Sequence, residues 1–247
     1  MGSVIVMTSG KGGTGKTSLT GGLAVALALR GRRVLCIDAD VGLRNLDITL
    51  GMADTALMDF SDVMAGRCSL NRAAAPHPTV EGLWLLTAPM TLPAEAAGQE
   101  GFLALLDQAR QAYDEVLIDS PAGLGDGFRR AVCGADRAIV TAVNEPSSLR
   151  DAQRVVGQLA HLDTVHLVVN RVRPRLLRRQ KATIDDAMDT AGLPLLGLVP
   201  EDAKVVLAAA AGKPLAQYAN PRRGAARAYD NIAQRLLGDQ VPLMRIR

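Results

Sequence analysis

Short, nearly continuous apolar runs recur along this chain and alternate with longer segments of helix length. Runs rich in Val, Ile and Leu are typical of strands that are buried on both faces of a parallel sheet. Because helix-length segments separate most of the runs, right-handed crossovers should place helices on both faces of one sheet. The predicted strands are Val4–Thr8, Arg33–Asp38, Leu83–Thr87, Glu115–Asp119, Ala138–Val143, Val165–Asn170 and Leu195–Val199.

The helical segments show their own periodicity. Leu19, Leu23 and Leu27 are spaced four apart and predict a buried helix face, and Gly31 provides a C-terminal stop. The resulting fold class is a doubly wound, mostly parallel α/β sheet in one domain, residues 1–237, with a short tail, residues 238–247. Further helices are predicted over Glu100–Ala112, Ser147–His161, Ile184–Ala191 and Arg223–Leu237, and an irregular stretch over Ala73–Gly82.

Composition narrows the class of protein. The chain has 247 residues, of which 48% are hydrophobic and only 3% aromatic, so alanine, valine and leucine must fill the core. No apolar stretch approaches the ~20 residues that a membrane span needs, and the first residues lack a signal-peptide pattern. The three cysteines, Cys36, Cys68 and Cys133, have no paired spacing. Reduced thiols and a cytoplasmic location are therefore expected.

A phosphate-binding motif follows the first predicted strand and opens the first predicted helix, which is the context that such a motif requires. Its glycines allow backbone N–H groups to turn inward and form an anion nest, next to the positive end of the helix. Lys16 should reach the β- and γ-phosphates of ATP, Thr17 should coordinate Mg²⁺, and Ser18 should reach the α-phosphate. The predicted nucleotide-binding loop comprises Gly10, Lys11, Gly12, Gly13, Thr14, Gly15, Lys16, Thr17 and Ser18.

Acidic residues end two of the predicted strands. Because ligands of such sheets lie at the carboxyl ends of the strands, Asp119 is interpreted as a Walker B carboxylate that holds Mg²⁺ through a water. Asp38 is a second candidate for the metal. Asp40 is the better candidate to orient the attacking water. A strand-end Asp can also be a helix N-cap, an alternative that is weaker for three carboxylates around one loop.

The motif carries a second lysine, Lys11, at a position where an ordinary phosphate loop needs no charge. The form Lys-Gly-Gly-x-Gly-Lys-Thr resembles the deviant Walker A ATPases. Other motifs resemble the MinD branch of that ParA/MinD family, which selects the site of cell division, and the resemblance extends to about Arg235. These motifs are the segments 38–47 and 119–123, similar to switches I and II, the helix start 147–151, and the adenine-side segments 170–172 and 200–202.

The resemblance implies roles for further residues. It implies a homodimer in the ATP state, in which Lys11 crosses the interface to the phosphates of the other subunit. It also implies slow hydrolysis that a topological regulator stimulates, and recruitment of a division inhibitor to the membrane. Lys11, Lys16 and Asp40 are the expected catalytic residues. Adenine-side contacts are expected from Asn170, Pro200, Glu201 and Asp202, and switch or partner contacts from Arg44, Asn45, Asp119, Gly123 and Asp151.

Three alternatives come from related classes. A flagellar-number ATPase has a similar loop but is expected to differ in the Gly42–Asp47 segment. An electron-transfer ATPase would need paired cluster cysteines. A partition ATPase would bind DNA, but the available basic run lacks interleaved aromatic residues, and a solvated loop explains it better than a nucleic-acid contact. That run consists of Arg171, Arg173, Arg175, Arg178, Arg179 and Lys181.

The C-terminal tail departs from the family pattern, which ends in a basic amphipathic helix. Pro242 is expected to prevent continuation of the last helix. Leu243, Met244 and Ile246 then alternate with Arg245 and Arg247, which is a strand-like spacing. Only weak, ATP-dependent contact with an anionic membrane is expected from this tail. A tail that packs on the core or stays disordered is the alternative.

Overall fold

The computed structural model describes residues 1–53, 55–93, 98–180 and 183–246. Within these residues, eight strands form one sheet in the order β3-β4-β2-β5-β1-β6-β7-β8. All neighbouring strands are parallel except β3 and β4, which are antiparallel. The strands are β1 (Ser3–Thr8), β2 (Val34–Asp38), β3 (Ala75–Pro76), β4 (Leu83–Leu86), β5 (Glu115–Asp119), β6 (Arg137–Val143), β7 (Thr164–Val172) and β8 (Leu195–Pro200).

Helices cover both faces of the sheet, as the alternating pattern predicts. Every strand predicted from the sequence is present, with bounds that differ by at most two residues at either end. None of the helices that the described residues form is long and apolar enough to span a membrane. The helices are α1 (Lys16–Ala28), α2 (Leu46–Leu50), α3 (Phe60–Met64), α4 (Leu70–Ala73), α5 (Gln99–Ala112), α6 (Asp126–Val132), α7 (Pro146–Val156), α8 (Pro174–Gln180), α9 (Ile184–Ala191), α10 (Lys204–Ala210), α11 (Leu215–Tyr218) and α12 (Gly224–Leu236).

Two hydrophobic clusters lie on opposite faces of the sheet. Along β1, Val4 and Val6 belong to one cluster, whereas Ile5 and Met7 belong to the other. This alternation is the period of two that a strand imposes. The first cluster contains residues of α5, α6, α7 and α9, and the second contains residues of α1 and α12. The doubly wound prediction is therefore confirmed.

The stretch predicted to be irregular, Ala73–Gly82, contains strand β3. Pro76 fits there because β3 is an edge strand, where a missing N–H costs no ladder bond. A histidine then closes the turn to β4. His77 Nδ1 accepts from the amides of Thr79 and Val80, both at 3.1 Å, while Nε2 lies 2.8 Å from the carbonyl oxygen of Leu50. Apart from Ala73 and the two residues of β3, the stretch is irregular as predicted. Strand β3 was missed because its pairing depends on a side-chain turn rather than on a hydrophobic pattern.

The last helix ends before Pro242. Gly238 has a φ of 95°, and its amide donates to the Arg235 carbonyl at 3.1 Å, so glycine rather than proline ends α12. Arg235 Nε then donates to the Val241 carbonyl at 2.9 Å. Met244 and Ile246 are half-buried against the two core clusters. The described part of the tail therefore folds back on the core, whereas Arg247 lies outside the described residues.

Helix α1 packs closely on α12 at a glycine. An alanine Cβ at Gly22 would lie 2.1 Å from Cδ2 of Tyr229, whose ring is only 3% exposed. We expect Gly22→Ala to lower the free energy of unfolding by about 1–3 kcal/mol through overpacking, because a buried ring has little room to move.

Chemical denaturation of the purified protein measures this change. Gly157→Ala is the matched control, because its Cβ would make only an ordinary contact, 3.5 Å from the Arg154 carbonyl, at a right-handed backbone position. An equal effect of the two substitutions would contradict the close packing of α1 on α12.

Candidate nucleotide site

The loop between β1 and α1 has the backbone conformation that anion binding requires. Gly13 and Gly15 have φ angles of 81° and 83°, in the left-handed region that glycine adopts without steric cost. An alanine Cβ at Gly15 would also lie 2.4 Å from Asn170 Nδ2. Helix α1 begins at Lys16, directly after the loop, so its positive end adds to the attraction for an anion.

Strand β7 supports the loop from the side. Asn170 Nδ2 donates to the Thr14 carbonyl at 2.8 Å, and Arg171 Nη1 donates to the Gly13 carbonyl at 3.2 Å. Carbonyl groups that turn towards β7 leave N–H groups for the opposite face of the loop, which is the arrangement of an anion nest. Asn170 is 4% exposed, so this support lies within the folded core.

A buried carboxylate organises the side chains at the start of α1. Lys16 Nζ lies 2.6 Å from Asp119 Oδ1, and the two side chains are only 7% and 2% exposed. Thr17 Oγ1 donates to Asp119 Oδ2 at 2.7 Å, and Thr20 Oγ1 donates to Oδ1 at 3.1 Å. A buried ion pair needs such additional hydrogen bonds to offset its desolvation. The structure thus brings the predicted Walker B carboxylate to the predicted lysine and threonine of the loop.

Two more carboxylates lie at the neighbouring strand end. Asp38 pairs in register with Asp119 across β2 and β5. Burial, and then the charge of Asp119, raises the pKa of Asp38 to about 6. Burial also raises the pKa of the half-buried Asp40, while the ammonium of Lys16 acts in the opposite direction. These carboxylates therefore interact electrostatically with each other and with the loop lysine.

The donor groups at this point suit a magnesium nucleotide. A hydroxyl, on Thr17, and a carboxylate, on Asp119, lie within hydrogen-bonding distance of each other, and Asp38 is on the adjacent strand end. Hard oxygen donors of this kind are what Mg²⁺ prefers, and it usually keeps several waters beside one or two carboxylates. The residues present therefore fit the metal as well as the phosphates.

The two predicted switch segments lie next to the loop. Arg44 has a φ of 44°, and its Nε donates to Thr87 Oγ1 at 3.0 Å. Asn45 is exposed at the start of α2. Gly123 has a φ of 86°, and its amide lies 3.3 Å from the Ser9 carbonyl, so the segment after β5 contacts the start of the loop directly.

Helix α7 contacts the first turn of the loop. Lys11 Nζ lies 3.3 Å from Ser147 Oγ and 3.9 Å from Glu145 Oε2. An alanine Cβ at Gly10 would lie 2.4 Å from the backbone of Asp151. The Asp151 carboxylate itself is 3.5 Å from Arg154 Nη1. The structure thus places the predicted partner residue Asp151 against the loop through its backbone.

The predicted adenine-side residues line a cavity of about 580 Å³ beside the loop. Within it, Glu201 pairs with the guanidinium group of Arg173 and also with that of Arg171. Arg173, and to a smaller extent Arg171, lowers the pKa of the Glu201 carboxyl group. Asp202 accepts from the amide of Lys204 at 3.0 Å and from that of Ala225 at 3.1 Å. These two carboxylates thus have protein partners. The residues predicted from the sequence that line the cavity are Gly13, Gly15, Ser18, Asn170, Pro200, Glu201 and Asp202.

Sequence reasoning missed other residues of this cavity. Val205, Val206 and Tyr229 also line it. Tyr229 belongs to the predicted last helix. It is the one aromatic residue of that segment, among several alanines, and this contrast could have indicated a special position. Val206 is 72% exposed, an unusual exposure for valine that becomes understandable beside a ligand cavity.

The basic run is partly neutralised. Arg171 and Arg173 both pair with Glu201, and Arg171 also binds the loop. Arg175, Arg178 and Arg179 are exposed on α8, and Lys181 lies outside the described residues. Arg171 and Arg173, two of the six cations, thus bind protein groups around the candidate nucleotide site. Their engagement weakens the interpretation of this run as a continuous nucleic-acid contact.

The cysteines are free thiols in the part of the chain that the structure describes. Cys36 is buried in β2, whereas Cys68 and Cys133 are partly buried. Burial raises the pKa of both Cys36 and Cys133, which disfavours the reactive thiolate. Cys36 therefore does not offer an accessible ligand for a cluster shared between subunits.

Comparisons with known proteins identify the family to which the chain belongs. The model of the CobQ/CobB/MinD/ParA nucleotide binding domain matches residues 5–215. The septum site-determining protein MinD of Bacillus subtilis is 40% identical, over 98% of this chain and 92% of that protein.

Solved structures of MinD proteins superpose on nearly the whole fold. In the MinC:MinD complex of Aquifex aeolicus, a chain with 36% identity has a TM-score of 0.90 and covers 98% of both chains. MinD of Pyrococcus horikoshii, solved with Mg-ADP, has 30% identity and a TM-score of 0.82 over 96% of both chains. This chain belongs to the CobQ/CobB/MinD/ParA nucleotide-binding family and, within it, to the MinD septum site-determining ATPases.

Proposed function

We propose that this chain binds Mg-ATP at Gly10–Ser18, dimerises in that state and acts as a spatial switch in placing the bacterial division septum. The ATP-bound dimer recruits a division inhibitor and is released by stimulated hydrolysis. The observation that carries the proposal is the buried contact of Asp119 with Lys16 and Thr17. It joins the groups that bind phosphate and metal at one point of the loop.

Each loop residue has a defined task in the proposed site. The amides of the loop bind the phosphates, and Lys16 supplies a charge-assisted bond to the β- and γ-phosphates. Thr17, with Asp119 and Asp38, holds Mg²⁺, which neutralises charge on the phosphate oxygens when bound. Ser18 reaches the α-phosphate. Asn170, with Pro200, Glu201 and Asp202, surrounds the base and ribose.

Asp40 orients the attacking water. It lies two residues beyond the strand-end Asp38, and its carboxyl group is close enough to Lys16 for that charge to oppose the rise in its pKa. Phosphoryl transfer depends mainly on positioning and on stabilisation of charge. A half-buried carboxylate at this point supports such a role in hydrolysis rather than in binding.

Lys11 reaches the nucleotide of the partner subunit. Its contacts with Ser147 and Glu145 are long, and the side chains of Lys11 and Glu145 are 41% and 57% exposed. Exposed ion pairs contribute little to stability, so leaving these contacts costs little. The lysine is therefore free to form stronger bonds across a dimer interface.

The proposed partners follow from relatives and from the switch segments. The MinC:MinD complex of Aquifex aeolicus supports a division inhibitor of the MinC type. A topological regulator is implied by resemblance. Asp151 on α7, with Arg44, Asn45, Asp119 and Gly123 of the switch segments, would report the nucleotide state to these partners. Direct contact of Gly10 with the Asp151 backbone supports that coupling.

The two loop lysines should behave differently when they are replaced. Lys16→Ala should weaken ATP binding by roughly 2–3 kcal/mol through loss of charge-assisted bonds. Lys11→Ala should keep most of the ATP affinity but lose ATP-dependent dimerisation and hydrolysis. ATP titration and light scattering measure both, with the exposed Lys213→Ala as control. An Lys11→Ala variant that dimerises and hydrolyses normally would rule out the role in trans.

Replacement of Asp40 should separate binding from hydrolysis. We expect Asp40→Ala to bind ATP, dimerise and remain dimeric, because the water is no longer oriented while the phosphate contacts persist. Turnover and the lifetime of the dimer after ATP addition are the measurements. Asp163→Ala, at an exposed carboxylate directly before β7, is the control. Normal turnover by Asp40→Ala contradicts the assignment.

The tail should give weak contact with anionic membranes, and only in the ATP state. Half-burial of Met244 and Ile246 against the core opposes release of the tail, while a dimer presents two tails and gains avidity. Leu243 is 50% exposed and available for insertion. Binding to anionic vesicles with ATP should therefore fall when residues 241–247 are deleted, and in Leu243→Asp.

Sedimentation with anionic and neutral vesicles tests this account. Leu29→Asp, at a leucine that is 66% exposed on α1's C-terminal end, is the matched control. Thermal melting checks that each variant is folded. Tight binding of the ADP-bound monomer, or unchanged binding after deletion of the tail, would show that the tail is not the anchor.

A further inference from the structure

A second, largely apolar cavity of about 300 Å³ lies between α1 and the C-terminal helices α10, α11 and α12. Protein interiors contain few voids larger than a water molecule, so a space of this size is large for a hollow left by packing alone. Small side chains on all four helices leave it open. The apolar residues of its wall include Val25, Ala26, Ala208, Ala209, Ala216 and Ala226.

The volume of the cavity limits the size of its occupant. An apolar cavity of about 150 Å³ holds one benzene ring, and this cavity has about twice that volume. It therefore fits two fused rings or a chain of roughly eight carbons. A lipid chain that crosses half of a bilayer core of about 30 Å is too long for this space. The volume thus favours a small soluble molecule.

The polar edge of the cavity carries an unpaired positive charge. Arg222 lines the cavity and is exposed, and its guanidinium forms no ion pair within the part of the chain that the structure describes. Asp230 is the carboxylate among the described lining residues, and it is already bound by Arg30 Nη2 at 2.6 Å. Arg223 and Arg227 are also exposed nearby. An anionic head group therefore fits this edge better than a cationic one.

We propose that this cavity binds a small soluble amphiphile, with one apolar chain of roughly eight carbons and a carboxylate head. The chain lies among the alanines of the wall, where Ala209 of α10 faces the cavity. The carboxylate accepts hydrogen bonds from Arg222, because guanidinium and carboxylate groups match as a two-point, charge-assisted pair.

The cavity shares part of its wall with the nucleotide side of the molecule. Ser18, Val205 and Tyr229 line both this cavity and the one beside the phosphate loop. A chain packed against Tyr229 and Ser18 restrains a wall that the nucleotide also needs in place. Each ligand should therefore tighten the binding of the other by the same factor. Only this coupling rests on the proposed function.

Calorimetric titration of the nucleotide-free full chain with octanoate tests the site. Octanoate should bind at one site per chain, and octanol and octylammonium should bind more weakly, because neither supplies an anion to Arg222. Arg222→Gln should weaken octanoate binding by about threefold to tenfold, a charge-assisted bond discounted for its exposure. Arg223→Gln is the matched control, since Arg223 is exposed but does not line the cavity, and should change the affinity by less than about twofold.

A substitution that fills the cavity tests where the chain lies. Ala209→Leu should abolish octanoate binding, whereas Ala210→Leu, at an exposed position of the same helix outside the cavity, should not. Thermal melting checks that both variants are folded. Saturating octanoate should raise the ATP affinity of the native chain by about fivefold, and should leave that of Ala209→Leu unchanged.

Several results would overturn the proposal. They are octanoate binding that persists in Ala209→Leu, equal binding of octanol or octylammonium, or an equal loss in Arg223→Gln and Arg222→Gln. Loss of vesicle binding in Ala209→Leu would assign the cavity to a membrane lipid instead of a soluble molecule. A chain that binds octanoate but no ATP would refute the proposed function and leave the site intact, whereas one that binds ATP but no octanoate would refute the site alone.

Discussion

The buried pair of Lys16 and Asp119 is the interaction on which the rest of the site depends. It joins the central strand β5 to the first residue of α1. Removing one member of a buried pair leaves an uncompensated charge, which is strongly destabilising. Thr17 and Thr20 complete the contacts of the carboxylate. The same bonds that hold the sheet against α1 therefore also collect the groups that we propose to contact phosphate and metal, which would couple stability to ligand binding.

The strands and helices differ in how well they could be predicted from the sequence. The seven long strands could be predicted because each is a nearly continuous apolar run with a helix-length segment beside it. Strand β3 could not, because it has two residues, one of them Pro76, and is held by the His77 turn. Most of the unpredicted helices are similarly short, such as α2 with five residues. Too few turns exist in such helices for periodicity to be visible.

The candidate site shows the same division. The loop residues could be predicted because their spacing is itself the chemical signal, and the structure brings Lys16, Thr17 and Asp119 together. The role of Asn170 in supporting the loop could not be predicted, because its hydrogen bond to the Thr14 carbonyl joins residues that are far apart in sequence. Asp202 likewise spans from α10 to α12 by backbone amides. Hydrogen bonds from a side chain to distant backbone atoms produce no recognisable pattern of residue types in the sequence.

Tyr229 lines two cavities of the molecule. Its ring lines the cavity of about 580 Å³ beside the loop and also an apolar cavity of about 300 Å³ between α1, α10 and α12. On the α1 side it rests directly on Gly22, which has no side chain to replace the ring. Trimming Tyr229 would therefore widen both cavities at once, because this residue lines each of them.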